Sequence, residues 1–167
     1  KLSLGVTEEI LVQKAKKRPA IVVATEFTGF YDALAEIRGR KHLQQRGIIV
    51  VPLFSVETET DPVGFPPIMT ARIRALMYRQ FFFCPRKSPL THDSVARLDR
   101  LHVVLHESSP GVRLPAYEPT QLALGKDALG ILMSMLQSFF GASENEELKA
   151  IKELVVDALP SEARKPA

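Results

Sequence analysis

Four carboxylates in the first third of the chain are candidate ligands for a metal ion. Glu26 follows one short apolar run, and Glu57, Glu59 and Asp61 follow the next. Hard cations such as Mg²⁺ prefer oxygen ligands, usually one or two carboxylates together with substrate phosphates. If the two apolar runs form neighbouring parallel strands, their carboxyl ends share one rim of the sheet. The spacing then predicts a magnesium site for phosphoryl transfer, and the alternative is an exposed acidic loop.

The order of these acids resembles the Toprim nucleotidyl-transfer and hydrolase domains, which place a Glu after one strand and an acidic pair after a later one. The resemblance implies metal-dependent phosphodiester chemistry at Glu26, Glu57, Glu59 and Asp61. It covers a minor part of the chain and departs in detail. Glu26 is followed by Phe27 rather than Gly, and no Asp-x-Asp pair is present.

A second hypothesis is a small anionic ligand at the same rim. Ligands of open α/β sheets bind outside the carboxyl ends of the strands, and a helix N-terminus exposes backbone N–H groups to an anion. The alternative for the TEFTG stretch is a helix cap with a tight turn. The predicted ligand-binding residues are Thr25, Glu26, Thr28, Gly29, Ser55, Arg86 and Lys87.

Two further features in the middle of the chain have a chemical and a structural interpretation. Cys84 is followed by two basic residues that would lower a thiol pKa, but the three Phe before it indicate a buried, inert thiol. Nucleic-acid binding is a weaker hypothesis, because aromatic residues that could stack on bases are few and a solvated basic face is the alternative. Its basic residues are Arg72, Arg74, Arg79, Arg97 and Arg100.

Apolar periodicity and turn residues predict the elements that position these side chains. Short β-rich runs that alternate with helical patterns predict a three-layer α/β sandwich with about four mostly parallel strands, Rossmann-like or flavodoxin-like in architecture. Pro52 in the second run predicts an edge or the end of a strand. The predicted strands are 20–24, 48–54, 80–84 and 101–106, and the predicted helices are 7–17, 28–45, one beginning at Pro66 or Pro67, 91–100, 126–140 and 144–159.

Length and composition place few limits on function. The 167 residues predict one domain over 1–167, and the missing initiator Met suggests either a processed chain or a piece of a longer one. A single cysteine excludes an internal disulfide and favours a cytoplasmic protein. No apolar run is long enough for a membrane helix. The net charge of +3 indicates only a mild preference for anionic partners.

The most informative segment is the helix predicted over 126–140, KDALGILMSMLQSFF. A helix that is apolar on every side must be buried, either within its own domain or against another chain. An amphipathic helix over 144–159, opened by a capping box of Ser143 and Glu146, is predicted to pack on the domain. These features favour a non-catalytic regulatory or interaction domain that docks on a partner or forms a homo-oligomer through 126–140. The alternative is the Mg²⁺-dependent enzyme, so enzymatic activity is left open.

Overall fold

In a computed structural model of the chain, the structure describes residues 18–25, 47–56, 64–105 and 119–164. These residues form five strands and four helices. The strands are β1 (Ala20–Ala24), β2 (Gly47–Ser55), β3 (Phe81–Cys84), β4 (Ser94–Arg97) and β5 (His102–Leu105). The helices are α1 (Pro67–Arg74), α2 (Lys126–Phe139), α3 (Glu146–Asp157) and α4 (Ser161–Arg164), and a 3₁₀ turn spans Leu98–Arg100.

The sheet is antiparallel and curls into a half-barrel around its longest strand. β2 pairs with β1 along one edge, and its other edge pairs with β5 over its first half and with β4 near its end. β3 pairs with the far side of β4. Every pairing between these strands is antiparallel. The predicted parallel, three-layer Rossmann-like sandwich is therefore wrong.

The connections between strands explain the error. A parallel pair needs a crossover of about a dozen residues or more, usually a helix. The segment 85–93 joins β3 to β4 without a helix, and the 3₁₀ turn joins β4 to β5. The predicted helix over 91–100 is also wrong, because β4 and the 3₁₀ turn occupy this segment. Val95 and Ala96 lie fully buried in β4, where pairing with β2 and β3 outweighs the local helical pattern.

Pro52 lies in the central strand, so the prediction of an edge or strand end was wrong. The backbone N–H of Leu53 donates to Pro19 on the β1 side at 2.9 Å. Because backbone groups alternate along a strand, the nitrogen of Pro52 faces the opposite edge. That edge is interrupted there, since β5 pairs with β2 only up to Val50 and β4 only from Leu53 onward. A residue without an N–H therefore costs no ladder hydrogen bond at this position.

Successive side chains along each strand point to opposite faces of the sheet, and each face carries an apolar cluster. The face formed by Val51, Leu53, Phe82, Ala96 and neighbouring residues packs on α2 and α3 and holds the largest cluster, to which the helices contribute Leu132, Met135, Leu136 and Leu148. The opposite face carries Phe81 and Val95, which pack on Ile73 of α1. α1 begins at Pro67 as predicted, because a first-turn proline loses no hydrogen bond.

The two C-terminal helices lie close to their predicted positions. α2 ends at Phe139, and α3 is shorter than the predicted 144–159. The cap of α3 is Asn145, whose side-chain oxygen accepts from the Glu147 N–H at 2.9 Å. The predicted capping box of Ser143 and Glu146 is therefore wrong, although a helix does begin at Glu146.

Candidate functional site

The strand ends that were predicted to share a rim lie at opposite ends of the sheet. Ala24, the last residue of β1, pairs with Ile49, whereas Ser55 is the last residue of β2. At about 3.3 Å per residue, the distance along β2 from Ile49 to Ser55 is roughly 20 Å. Thr25 and Ser55 therefore cannot line one ligand site, because the antiparallel pairing separates them.

The remaining acidic and turn residues of these two predictions lie outside the described residues. They are Glu26, Thr28, Gly29, Glu57, Glu59 and Asp61. The magnesium site thus stays a prediction, while its premise of neighbouring parallel strands is wrong. Within the described ranges, no group of three or more His, Cys, Asp or Glu side chains is placed to hold a metal ion.

The structure does bring Ser55, Arg86 and Lys87 to one edge. β2 and β3 are both antiparallel to the β4 strand between them, so they run in the same direction. Ser55 pairs with Ser94, and Ser94 pairs with Cys84. The ends of β2 and β3 are therefore two strand spacings apart, about 10 Å.

Asp93 organises this edge, and the sequence did not identify it in this role. Its carboxylate accepts from the Arg86 backbone N–H at 2.7 Å and from the Arg74 guanidinium at 2.8 Å. Its backbone carbonyl accepts from the Val56 N–H at 3.0 Å. Asp93 directly precedes β4, in the segment where the sequence predicted a helix over 91–100. A carboxylate at the centre of the edge opposes the binding of an anion there.

A groove of about 410 Å³ lies beside this edge, between α1 and the C-terminal helices. Its walls are mainly apolar. Its polar groups are already engaged, since Thr70 donates to the Phe65 carbonyl at 3.2 Å and Arg74 pairs with Asp93. The lining residues are Val56, Pro67, Thr70, Ala71, Arg74, Asp93, Val155 and Leu159.

Several arginines of the nucleic-acid hypothesis make contacts within the chain. Arg72 donates to the Ala163 carbonyl at 3.0 Å, and Arg97 forms an ion pair with Asp99. The Arg97 hydrogen bond holds the pKa of Asp99 below its ordinary value. Arg74 lies 4.2 Å from the Phe83 ring centroid as well as beside Asp93. These contacts favour the structural interpretation of the basic stretch, and nucleic-acid binding stays a prediction.

The Cys84 thiol is buried, as the preceding Phe run predicted, and burial raises its pKa from 9.0 to about 12. At pH 8 the folded thiol thus carries roughly a thousandth of the thiolate of an unshifted thiol. We expect iodoacetamide to label Cys84 slowly in the native chain and rapidly in urea. Equal labelling rates in buffer and urea, measured by mass spectrometry, would contradict this burial.

The raised pKa of Cys84 also predicts a pH dependence of stability. Because the thiol ionises at lower pH in the unfolded chain than in the folded chain, the free energy of unfolding should fall as pH rises from 9.0 toward about 12.

One feature of α2 that the described residues leave unexplained is a group of exposed apolar side chains beside its buried face. Leu132, Met135 and Leu136 point into the main core, but Leu129 is 43% exposed and Met133 is 38% exposed. The next apolar residue on this side, Phe140 just beyond the helix, is 70% exposed. At 100° per residue these three positions lie within about 40° of one another. We call Leu129, Met133 and Phe140 the apolar stripe.

Gly130 lies next to the apolar stripe in the interior of α2. A Cβ at this position would meet no described atom within 4 Å, so packing among the described residues does not require a glycine. A glycine inside a helix costs about 0.5–1 kcal/mol relative to alanine. The chain therefore carries both exposed apolar side chains and an unfavourable glycine on the same helical surface.

Among the described residues, packing buries one face of α2, which carries Leu132 and Met135, and leaves Leu129 and Met133 exposed. Burial of these exposed side chains against another chain stays a prediction. None of the described helices combines the length and apolar character needed to cross a membrane. Comparison with family models, with curated proteins and with solved structures finds no match to this chain.

Proposed function

We propose that this chain is a non-catalytic interaction domain that docks on another protein surface through the apolar stripe of α2. The supporting observation is the exposure of Leu129, Met133 and Phe140 on a helix whose adjacent face anchors the core. Scattered exposed apolar residues are ordinary, but aligned ones form a patch of the kind that marks interaction sites. Burial of apolar area contributes roughly 25 cal/mol per Å², so a partner that covers the stripe gains a favourable free energy.

The position of the stripe suits docking without rearrangement of the fold. α2 is held by fully buried Leu132 and by Met135, which is 3% exposed. The stripe therefore stands on a helix that is already fixed in place, and little conformational entropy is lost when a partner binds. The magnesium-enzyme alternative has no comparable support, because its premise of two strand ends at one rim is wrong.

The proposal predicts position-specific photo-crosslinking. We expect a chain with a photo-reactive benzophenone amino acid in place of Met133, expressed in cells and irradiated, to form a covalent product of higher mass. The control carries the same amino acid in place of Lys149, which is exposed on α3. Products at position 133 with none at 149 would support docking. The absence of a product at 133, or equal yields at both positions, would contradict it.

A further inference from the structure

We infer that the surface that covers the apolar stripe is a second copy of this chain, bound so that the two α2 helices pack antiparallel and cross at Met133. This inference rests on the proposed function and adds the identity of the partner. Symmetric pairs are the commonest oligomers, and a two-fold interface requires that one patch be complementary to itself. Three properties of α2 meet this requirement.

The first property is the placement of charge along α2. Lys126 is the first residue of the helix, where the helix dipole disfavours a cation, and the last turn contains no basic residue. Lys126 and Phe140 are equidistant from Met133 in the sequence. In an antiparallel pair that crosses at Met133, Lys126 of each copy therefore lies beside Phe140 and the C-terminal carbonyls of the other. Both the helix dipole and the ring face of Phe140 attract the ammonium group there.

The second property is the small residue beside the crossing point. Gly130 is one turn before Met133, and the space where its side chain would lie is open. The distance between two packed helices depends on the side chains at their contact. A glycine at this point lets the two backbones approach closely, which gives a role to a residue that packing among the described residues does not require.

The third property is the nature of the patch, which is apolar and largely free of charge. Between Lys126 and Phe140, Asp127 is the only charged residue of α2, and it lies at the N-terminal end away from the crossing. A second copy of the patch is thus a matching surface without unpaired buried charge. The 14 residues of α2 span about 21 Å, which is small for an interface, so we expect a weak dimer.

Sedimentation equilibrium of the purified chain tests the inference directly. We expect the mass to rise from 18.6 kDa toward twice that value as concentration increases through the micromolar range. Met133→Lys should weaken association more than tenfold by placing two like charges at the crossing. Gly130→Ala should also weaken association, although it should raise the stability of the dilute monomer. A mass of 18.6 kDa at every concentration, or association unchanged in both variants, would overturn the inference.

A disulfide tests the geometry, since only a residue on the two-fold axis lies opposite itself. We expect Met133→Cys to form a covalent dimer under mild oxidation and Lys149→Cys to remain monomeric. Cys84 is buried and should form no disulfide in either variant. Equal dimer yields at the two positions would overturn the antiparallel arrangement.

The photo-crosslinking experiment distinguishes failure of this inference from failure of the proposed function. A product of position 133 with a different protein, together with a monomeric purified chain, leaves docking intact and overturns the second copy, and no product at all overturns both.

Discussion

Replacement of Leu132 by alanine is expected to lower the free energy of unfolding by about 3–4 kcal/mol, because truncation of a fully buried Leu removes apolar burial and leaves a cavity. Leu132 is 0% exposed and lies where α2 meets the inner face of the sheet. Its neighbours in the cluster come from β2, β3, β4 and α3, so the cavity would open at the centre of the domain. Urea denaturation followed by circular dichroism measures the change.

The matched control for this prediction is Leu129→Ala on the same helix. Leu129 is one turn earlier and exposed, so its truncation should change the free energy of unfolding by less than about 0.5 kcal/mol in a dilute sample. The contrast between the two alanines tests where the buried face of α2 ends. Equal losses for Leu129 and Leu132 would show that Leu129 is also covered within one chain, and the apolar stripe would then not be free for docking.

Replacement of Gly47 by valine is expected to destabilise the chain by about 2–3 kcal/mol, the upper range for overpacking in a tight site. Gly47 begins β2 and pairs with Leu105 of β5. A Cβ added there would lie 2.8 Å from the Val104 carbonyl oxygen and 3.0 Å from Cγ1 of Val103. The closest obstacle is backbone, so β5 would have to move away from β2. Thermal or urea unfolding measures the loss.

Gly130→Ala is the control for a glycine with open surroundings. At this position alanine should stabilise the dilute monomer by about 0.5–1 kcal/mol, because it favours the helix and meets no other atom. If Gly47→Val were as stable as the parent chain, the close contact between β2 and β5 would be wrong. The two glycines thus separate a steric requirement of the fold from a position that the fold does not use.

The sequence allows individual elements to be located more reliably than their directions. β1 lies at its predicted bounds, and α1, α2 and α3 lie within a few residues of theirs. Apolar periodicity reports which side of an element is buried, but it is the same for strands that run parallel and antiparallel. The site predictions depended on strand direction, and for this reason the prediction that Thr25 and Ser55 share a rim of the sheet was wrong.

The residues that organise the observed edge could not be recognised from local patterns. Asp93 and Arg74 meet only because α1 and the start of β4 are brought together in three dimensions. The segment around Val95 had to be a strand because two neighbouring strands pair with it, which is a long-range effect. The apolar character of α2 was visible in the sequence. Its division into a core face and a free stripe required knowledge of where the sheet lies.

Oxidation of Met133 and Met135 by dilute peroxide, followed by mass spectrometry, tests most directly whether the stripe of α2 is a docking surface. The two residues lie on different faces of one helix, with Met133 38% exposed and Met135 3% exposed. At low concentration, Met133 should be oxidised much faster than Met135. As the chain concentration rises, Met133 should become protected while Met135 remains slow throughout. Equal rates for the two residues would contradict the exposed apolar stripe on which docking depends. A Met133 rate independent of concentration would contradict the second copy as its partner.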